Sequence, residues 1–170
     1  MEGYFFTNEV REILQQARLE AARLRHDHVG TQHLLLAFTA GNAAGNRILE
    51  EAGTTPATVR AGIHETAGDA QGLNVQDLPY TSRAKKALEL AMKEARALQH
   101  GFVGAEHLLL GLIHADVVTA GTLTQFGIHE DDVRSALLTR HPRDPGLKPV
   151  TSALDFLKTP IRFIKRITPP

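Results

Sequence analysis

Nine histidines and no cysteine among 170 residues pose the first chemical question. His26, His28 and His33 cluster in one stretch, and His100, His107 and His114 stand seven residues apart in another. Imidazoles are ready metal ligands, yet a zinc site at such spacing usually brings thiolates or a His-Glu-x-x-His pattern, and neither occurs. These histidines flank the start of an apolar run, where rings that hydrogen-bond a link between helices are the expected reading. Nucleophilic catalysis finds no Gly-x-Ser-x-Gly, and the carboxylate pair Asp131-Asp132 suits a helix N-terminus. No enzyme, no metal and no cofactor is therefore expected; an enzymatic reading would need a pocket holding titratable groups of shifted pKa.

The elements that must position these residues come from one unit written twice. Shifted by 74 residues, positions 6–60 lie on 80–134 without a gap, and 17 of the 55 pairs are identical. His26/His100, Val29-Gly30/Val103-Gly104, the His-Leu-Leu-Leu runs from His33 and His107, and Val59-Arg60/Val133-Arg134 all recur. Each copy predicts four helices. Thr7 or Thr81 caps the first, whose apolar positions in the second copy (Ala84, Ala87, Leu88, Ala91, Ala95, Leu98) recur at three and four residues. It stops near His26 or His100. The second begins at Thr31 or Ala105 and carries the Leu-Leu-Leu run as the central buried helix. A third ends in Gly53 or Gly127 as a left-handed cap. The fourth starts at Thr55-Pro56 or near Glu130. Strand signals are almost absent, and residues 67–77 read as a flexible linker.

Neither half of about 60 residues buries a comfortable core alone, so the expected fold is all-α, an eight-helix pseudo-twofold bundle. Repeat 1 spans about 4–66 and repeat 2 about 78–140, together one unit over 1–140. Residues 141–170 form a Pro-rich linker and a basic amphipathic tail, with Leu154, Leu157, Ile161, Ile164 and Ile167 at helical spacing and Pro160 interrupting them. Six Lys/Arg against two Asp make the tail +4, which leaves −4 on the remainder of a chain with zero net charge. An acidic body argues against nucleic-acid binding. No apolar run approaches the roughly 18 residues of a membrane span and the N-terminus lacks a signal-peptide pattern, so the sequence reads as cytoplasmic.

The twin pattern Phe/Tyr-Thr, Glu-Ala, Leu, His, Val-Gly-Thr/Ala-Gln/Glu-His-Leu-Leu-Leu resembles the Clp repeat N-terminal domain of ClpA/ClpC-type AAA+ unfoldases over about residues 4–138. The resemblance implies a non-enzymatic α-helical module that binds adaptors or substrates and modulates Clp-dependent proteolysis; in the ClpC branch it implies recognition of arginine-phosphorylated proteins. No Gly-x-x-x-x-Gly-Lys-Ser/Thr is present, so the chain reads as a freestanding relative or a fragment, the tail favouring the former.

Under this resemblance Glu106 holds the acidic position of the second copy, where a carboxylate can fork a guanidinium while backbone N–H groups or a cation take the phosphoryl group. Its alternative role is to complement the helix dipole. As an exposed helix-start acid it should cost binding but little stability when replaced by Ala. Gln32 is the uncharged equivalent in the first copy, expected to make a weaker half-site that Gln32→Glu would strengthen; Thr31 keeps the cap hydroxyl that Ala105 lacks. Arg11 and Lys85 are equivalent candidates for phosphate-facing cations or members of a solvated face. Tyr80, Lys85 and Glu89 resemble a peptide-contacting surface, while Phe6 and Tyr80 equally suit hydrophobic staples.

The partners so implied are Clp ATPase or protease components, adaptors, or substrate proteins, including arginine-phosphorylated ones. The alternative is a structural accessory subunit that docks on a Clp complex or membrane surface through its tail without recognising degrons. Three partners compete for the tail: the acidic body, an acidic groove on a Clp component, and, least expected, an anionic membrane surface.

Overall fold

The computed structural model describes residues 5–63, 65, 67–72 and 74–141. Of the expected linker and basic tail, 141–170, all but His141 lies outside the described residues. Eight α-helices occur among the described residues, four per copy: α1 (Asn8–Arg23), α2 (Thr31–Phe38), α3 (Ala43–Glu51), α4 (Pro56–Gly62), α5 (Ser82–Ala97), α6 (Ala105–Ala115), α7 (Val117–Gln125) and α8 (Glu130–Arg140), with one turn of 3-10 helix at Val75–Asp77 between the copies.

The caps are those that the residue types dictate. Thr7 and Thr81 Oγ1 accept from the N–H groups of Val10 and Ala84 at 3.3 and 3.1 Å. Asn42 caps α3, Asp116 caps α7, and Thr55 with Pro56 opens α4. α3 and α7 end at Gly53 and Gly127, with φ of 73° and 78°. The first helix of each copy ends through the same hydrogen-bond pattern without a glycine. His26 and His100 N–H donate to the carbonyls of Ala21 and Ala95 at 2.9 Å, which holds Arg25 and Gln99 at φ 57° and 58°.

α1 and α5 bury one stripe each, Val10, Ile13, Leu14, Ala17 and Ala21 on α1 and Ala84, Ala87, Leu88, Ala91 and Ala95 on α5. α2 and α6 are buried nearly all round and form the centre. α6 packs on α5, α7 and α8 and reaches α1 of the other copy, while α2 packs on α1 and reaches α5, so both halves share one apolar core. Gly111 lets α6 approach α5 closely: a Cβ there would lie 2.2 Å from the Ala87 carbonyl oxygen. Among the described residues no single helix is long and apolar enough to cross a membrane.

The copies are also tied by short strands, which the sequence scarcely signals. β1 (Phe5–Phe6) pairs in parallel with β2 (Phe102–Val103), with Phe6 opposite Val103, and Tyr80 bridges in parallel to Val29. Under the 74-residue shift Phe6 corresponds to Tyr80 and Val29 to Val103. Each copy therefore lends the segment before its first helix to the helix link of the other, and Thr7 and Thr81 N–H donate to the carbonyls of Val103 and Val29 at 3.1 and 3.0 Å.

Two more duplicated pairs fasten the fourth helix of each copy to the first. Arg60 Nη2 donates to Glu20 Oε2 at 2.8 Å, and Arg134 Nη1 to Glu94 Oε2 at 2.7 Å. Glu20 is 4% exposed; desolvation works against its charge, but the hydrogen bonds from Arg60 and Arg23 outweigh it and leave the carboxyl below its ordinary pKa. The described part of 67–77 is pinned where a flexible linker was expected. Gly68 and Ala70 N–H donate to Leu24 and Arg25 carbonyls, and Arg18 Nη1 donates to the carbonyls of Gln76 and Leu78 at 2.7 and 3.2 Å. Glycine-rich composition says nothing of acceptors supplied by a distant helix end.

Candidate functional site

The histidines resolve into two matching relays at the starts of α2 and α6. Gly30 N–H donates to His33 Nδ1 at 2.8 Å, which places the His33 proton on Nε2, facing His26 Nδ1 at 2.8 Å. In the second copy Gly104 N–H donates to His107 Nδ1 at 3.0 Å, and His107 Nε2–H donates to His100 Nδ1 at 3.0 Å. His100 in turn lies 2.7 Å through Nε2 from the His141 carbonyl oxygen. His33 and His107 thus reach back to an orphan N–H ahead of the helix, the part that Glu or Gln plays in a capping box. Both their ring nitrogens are engaged. Among the described residues no three side chains of ligand type gather as a metal site.

Burial pushes the pKa of His33 down to about 4 and that of His107 down to about 3, with the neighbouring histidines adding to the fall. Both rings fold neutral. An unfolded His titrates near 6.5, so as pH falls below that the unfolded chain takes up protons that the folded chain refuses, and stability drops. The depressed carboxyls Glu20, Asp116 and Glu130 lose their contributions only below the ordinary carboxylate range, near 4.5 and under. Between pH 6.5 and 5 the two rings should cost on the order of 2–4 kcal/mol together. Urea unfolding across that window checks this; a flat profile would remove the relays from the account of stability.

The positions just before His33 and His107, 32 and 106, sit in opposite electrostatic settings. Glu106 is 3% exposed, not the exposed helix-start acid expected from its position. Its Oε1 receives Arg47 Nη2 of α3 at 3.0 Å and Arg140 Nη1 at the end of α8. Arg47 also binds Glu9, and Arg140 also binds Glu51. The hydrogen bond with Glu9, followed by that with Glu106, raises the Arg47 pKa above its ordinary value. The carboxylate that could fork an arginine derivative is already forked by two arginines of its own chain.

Gln32 lines an open groove of ≈ 610 Å³ between the starts of α2 and α5, shared with Thr31, His28, Ser82, Arg83 and Lys86. The first N–H groups of both helices lack a carbonyl one turn ahead, so two positive helix ends converge there. Arg83 and Lys86 are 64% and 60% exposed as side chains. Their equivalents in the first copy are Glu9 and Glu12, so the duplication carries a cationic groove on one side and acidic residues on the other. Thr31 does not face an incoming ligand with its hydroxyl. It is buried, and Oγ1 donates to Asp116 Oδ2 at 2.8 Å. Asp116 is 6% exposed; burial opposes its charge, yet the hydroxyls of Thr119 and Thr31, the Val118 N–H and Arg83 together hold its pKa down.

The remaining candidates are placed less favourably. Lys85 does not line the groove, whereas its neighbours Arg83 and Lys86 do, because a helix turns 100° per residue. Arg11 is half-buried on α1, with Nη1 on Asn8 Oδ1 at 3.5 Å and Nε buried without a partner among the described residues. Glu89 pairs with Lys86 at 3.4 Å. Tyr80 is 6% exposed under the Arg18 guanidinium, and burial raises its pKa, so it offers no peptide-contacting surface. Phe6 is buried as well, within the shared apolar core. Sequence reasoning missed Arg47, Arg83, Lys86, Asp116, Glu51 and Arg140. Only for Arg83 and Lys86 was a signal available, since they stand where the first copy has acids.

A family model described as the Clp repeat (R) N-terminal domain matches residues 5–126 and 79–153. The ClpA homolog of the Clp protease ATP-binding subunit from Cyanidium caldarium is 37% identical over 135 residues, 78% of this chain and 16% of that protein. The negative regulator of genetic competence ClpC/MecB of Bacillus subtilis is 36% identical over the same length and share of each chain. This chain thus spans about a sixth of those relatives. Among solved structures, the N-terminal domain of the Clp chaperone ClpD from Arabidopsis thaliana aligns with TM-score 0.63 and 27% identity, covering 79% of this chain and 93% of that one. The Hsp104 N-terminal domain of Candida albicans has TM-score 0.65 at 18% identity, a likeness of fold, over 87% of this chain and 96% of that one.

Proposed function

The chain belongs to the Clp repeat N-terminal domain family, and from that premise we propose that it is a binding module for adaptors or substrates of Clp-dependent proteolysis, receiving an anionic group in the groove at Gln32. The observation that carries this reading is the convergence of two helix N-termini with Arg83 and Lys86 around an open groove. A phosphoryl group there gains backbone N–H donors, two cations and the Gln32 amide, and phosphoarginine is the ligand class that the family resemblance suggests. The module is a binding surface rather than an enzyme. Its partners are Clp ATPase or protease components, adaptors, or arginine-phosphorylated proteins.

Glu106 supports a different part of the reading: with Arg47 and Arg140 on one carboxylate oxygen, the second half-site is filled from within. Calorimetry with free phosphoarginine should give about one site per chain. Lys86→Ala and Arg83→Ala should each weaken it about tenfold, a charge-assisted hydrogen bond being worth roughly 1.5–3 kcal/mol. Gln32→Glu should strengthen binding of the guanidinium end and weaken that of inorganic phosphate. Equal affinity in parent and variants would remove the groove as the site. Absence of any heat with phosphoarginine would favour the accessory-subunit reading, which the closed Glu106 already favours for the second copy.

A further inference from the structure

A second groove, of ≈ 270 Å³, runs between α3 and the start of α8 and shares no lining residue with the proposed anion site. Its walls are apolar, from Ile48 on α3 and Ala52 at its end, Ile128 ahead of α8, and Val133 and Ala136 on α8. Its rim is acidic, with Glu51 and Asp132, and Glu106 lies within it. Arg140 spans Glu51 and Glu106, but Asp132 and its neighbour Asp131 take part in no ion pair among the described residues.

We propose that this groove is the docking site of the chain's own residues 154–167. The complementarity is specific in kind. Leu154, Leu157, Ile161 and Ile164 form an apolar series at helical spacing, flanked by Lys158, Arg162, Lys165 and Arg166. An apolar trough with the unpaired carboxylate of Asp132 on its rim and Asp131 beside it fits that arrangement, and the tail's +4 meets a body of −4.

The tether permits it. The described chain leaves α8 at His141, directly after Arg140, which is itself anchored to the groove's acids. The 12 residues 142–153 contain Pro142, Pro145 and Pro149 and can span at most about 40 Å, more than twice the roughly 16 Å length of α8, so the segment can return along the helix it has left. A tether this short sets an effective concentration in the millimolar range, so even an intrinsic affinity near 0.1 mM gives about tenfold protection of the docked segment.

Amide hydrogen exchange on the full chain tests the assignment. About tenfold slower exchange over 161–167 than in an unstructured peptide, independent of protein concentration, is expected. Asp132→Lys reverses the rim and Ala136→Arg fills the trough; each should return 161–167 to free exchange while α5 and α6 stay protected, which shows that the fold survives. Free exchange in the parent chain overturns the proposal, as does protection that neither variant removes. Protection that rises with protein concentration assigns the groove to the tail of a second copy and overturns it as well. Slow exchange seen only with vesicles of anionic lipid overturns it in favour of a membrane surface.

Discussion

Glu106→Ala should lower the stability of the folded chain by about 2 kcal/mol, a fall of roughly 6–10 °C in Tm for a domain of this size. The position in sequence suggests a solvated acid at a helix start, worth a few tenths of a kcal/mol. In the structure the carboxylate is 3% exposed and neutralises two arginines from different helices. Its removal leaves Arg47 and Arg140 side by side, about 30% exposed each as side chains, with Glu9 and Glu51 as their remaining partners. That partial exposure is why the expected loss stays below the 3–5 kcal/mol typical of a fully buried pair. Truncating Arg140 as well relieves the repulsion, so Glu106→Ala combined with Arg140→Ala should be less destabilised than the sum of the single variants. Denaturant midpoints for the four proteins check both statements. An unchanged midpoint for Glu106→Ala would mean that the ion-pair cluster contributes nothing.

Gly111→Ala should be more damaging still, at about 3 kcal/mol or more, although it adds one methyl group. That methyl would stand 2.2 Å from the Ala87 carbonyl oxygen and 2.8 Å from the Ala91 nitrogen, so α6 must move away from α5 along their main seam. Backbone cannot yield as the tip of a flexible side chain would. The equivalent residue of the first copy is Ala37, fully buried and accommodated, so the duplication taken alone predicts a harmless change. The difference lies in the facing helices: α1 presents Ile13 where α5 presents Ala87, and the smaller residue lets the helices close up. Thermal unfolding of Gly111→Ala beside Ala37→Gly separates the two. Loss of under 1 kcal/mol in the former would show that the seam can open at little cost.

How much of this was legible from the amino acids follows the range of the forces involved. Helix starts at Thr7, Thr31, Thr55, Thr81 and Ala105, the left-handed ends at Gly53 and Gly127, and the buried Leu-Leu-Leu helices were readable because caps, periodicity and glycine φ act over a few residues. The structural role of His33 and His107 was readable for the same reason, a partner three residues away. The duplication added the single pseudo-twofold core, since half a core does not suffice.

Tertiary structure alone decided the rest. The exchange of Phe5–Phe6 and Tyr80 between copies depends on two unsatisfied backbone edges meeting across the pseudo-twofold axis, and two residues carry no strand periodicity to announce it. The capture of Glu106 depends on Arg47 and Arg140, 59 and 34 residues away, arriving at one oxygen from α3 and α8. Two repeats that share 17 of 55 paired residues thereby acquired one open cationic groove and one closed acidic site. Charge pairing over such separations is set by how helices pack, and helix packing is settled by side-chain volumes summed over the whole core rather than by any local pattern.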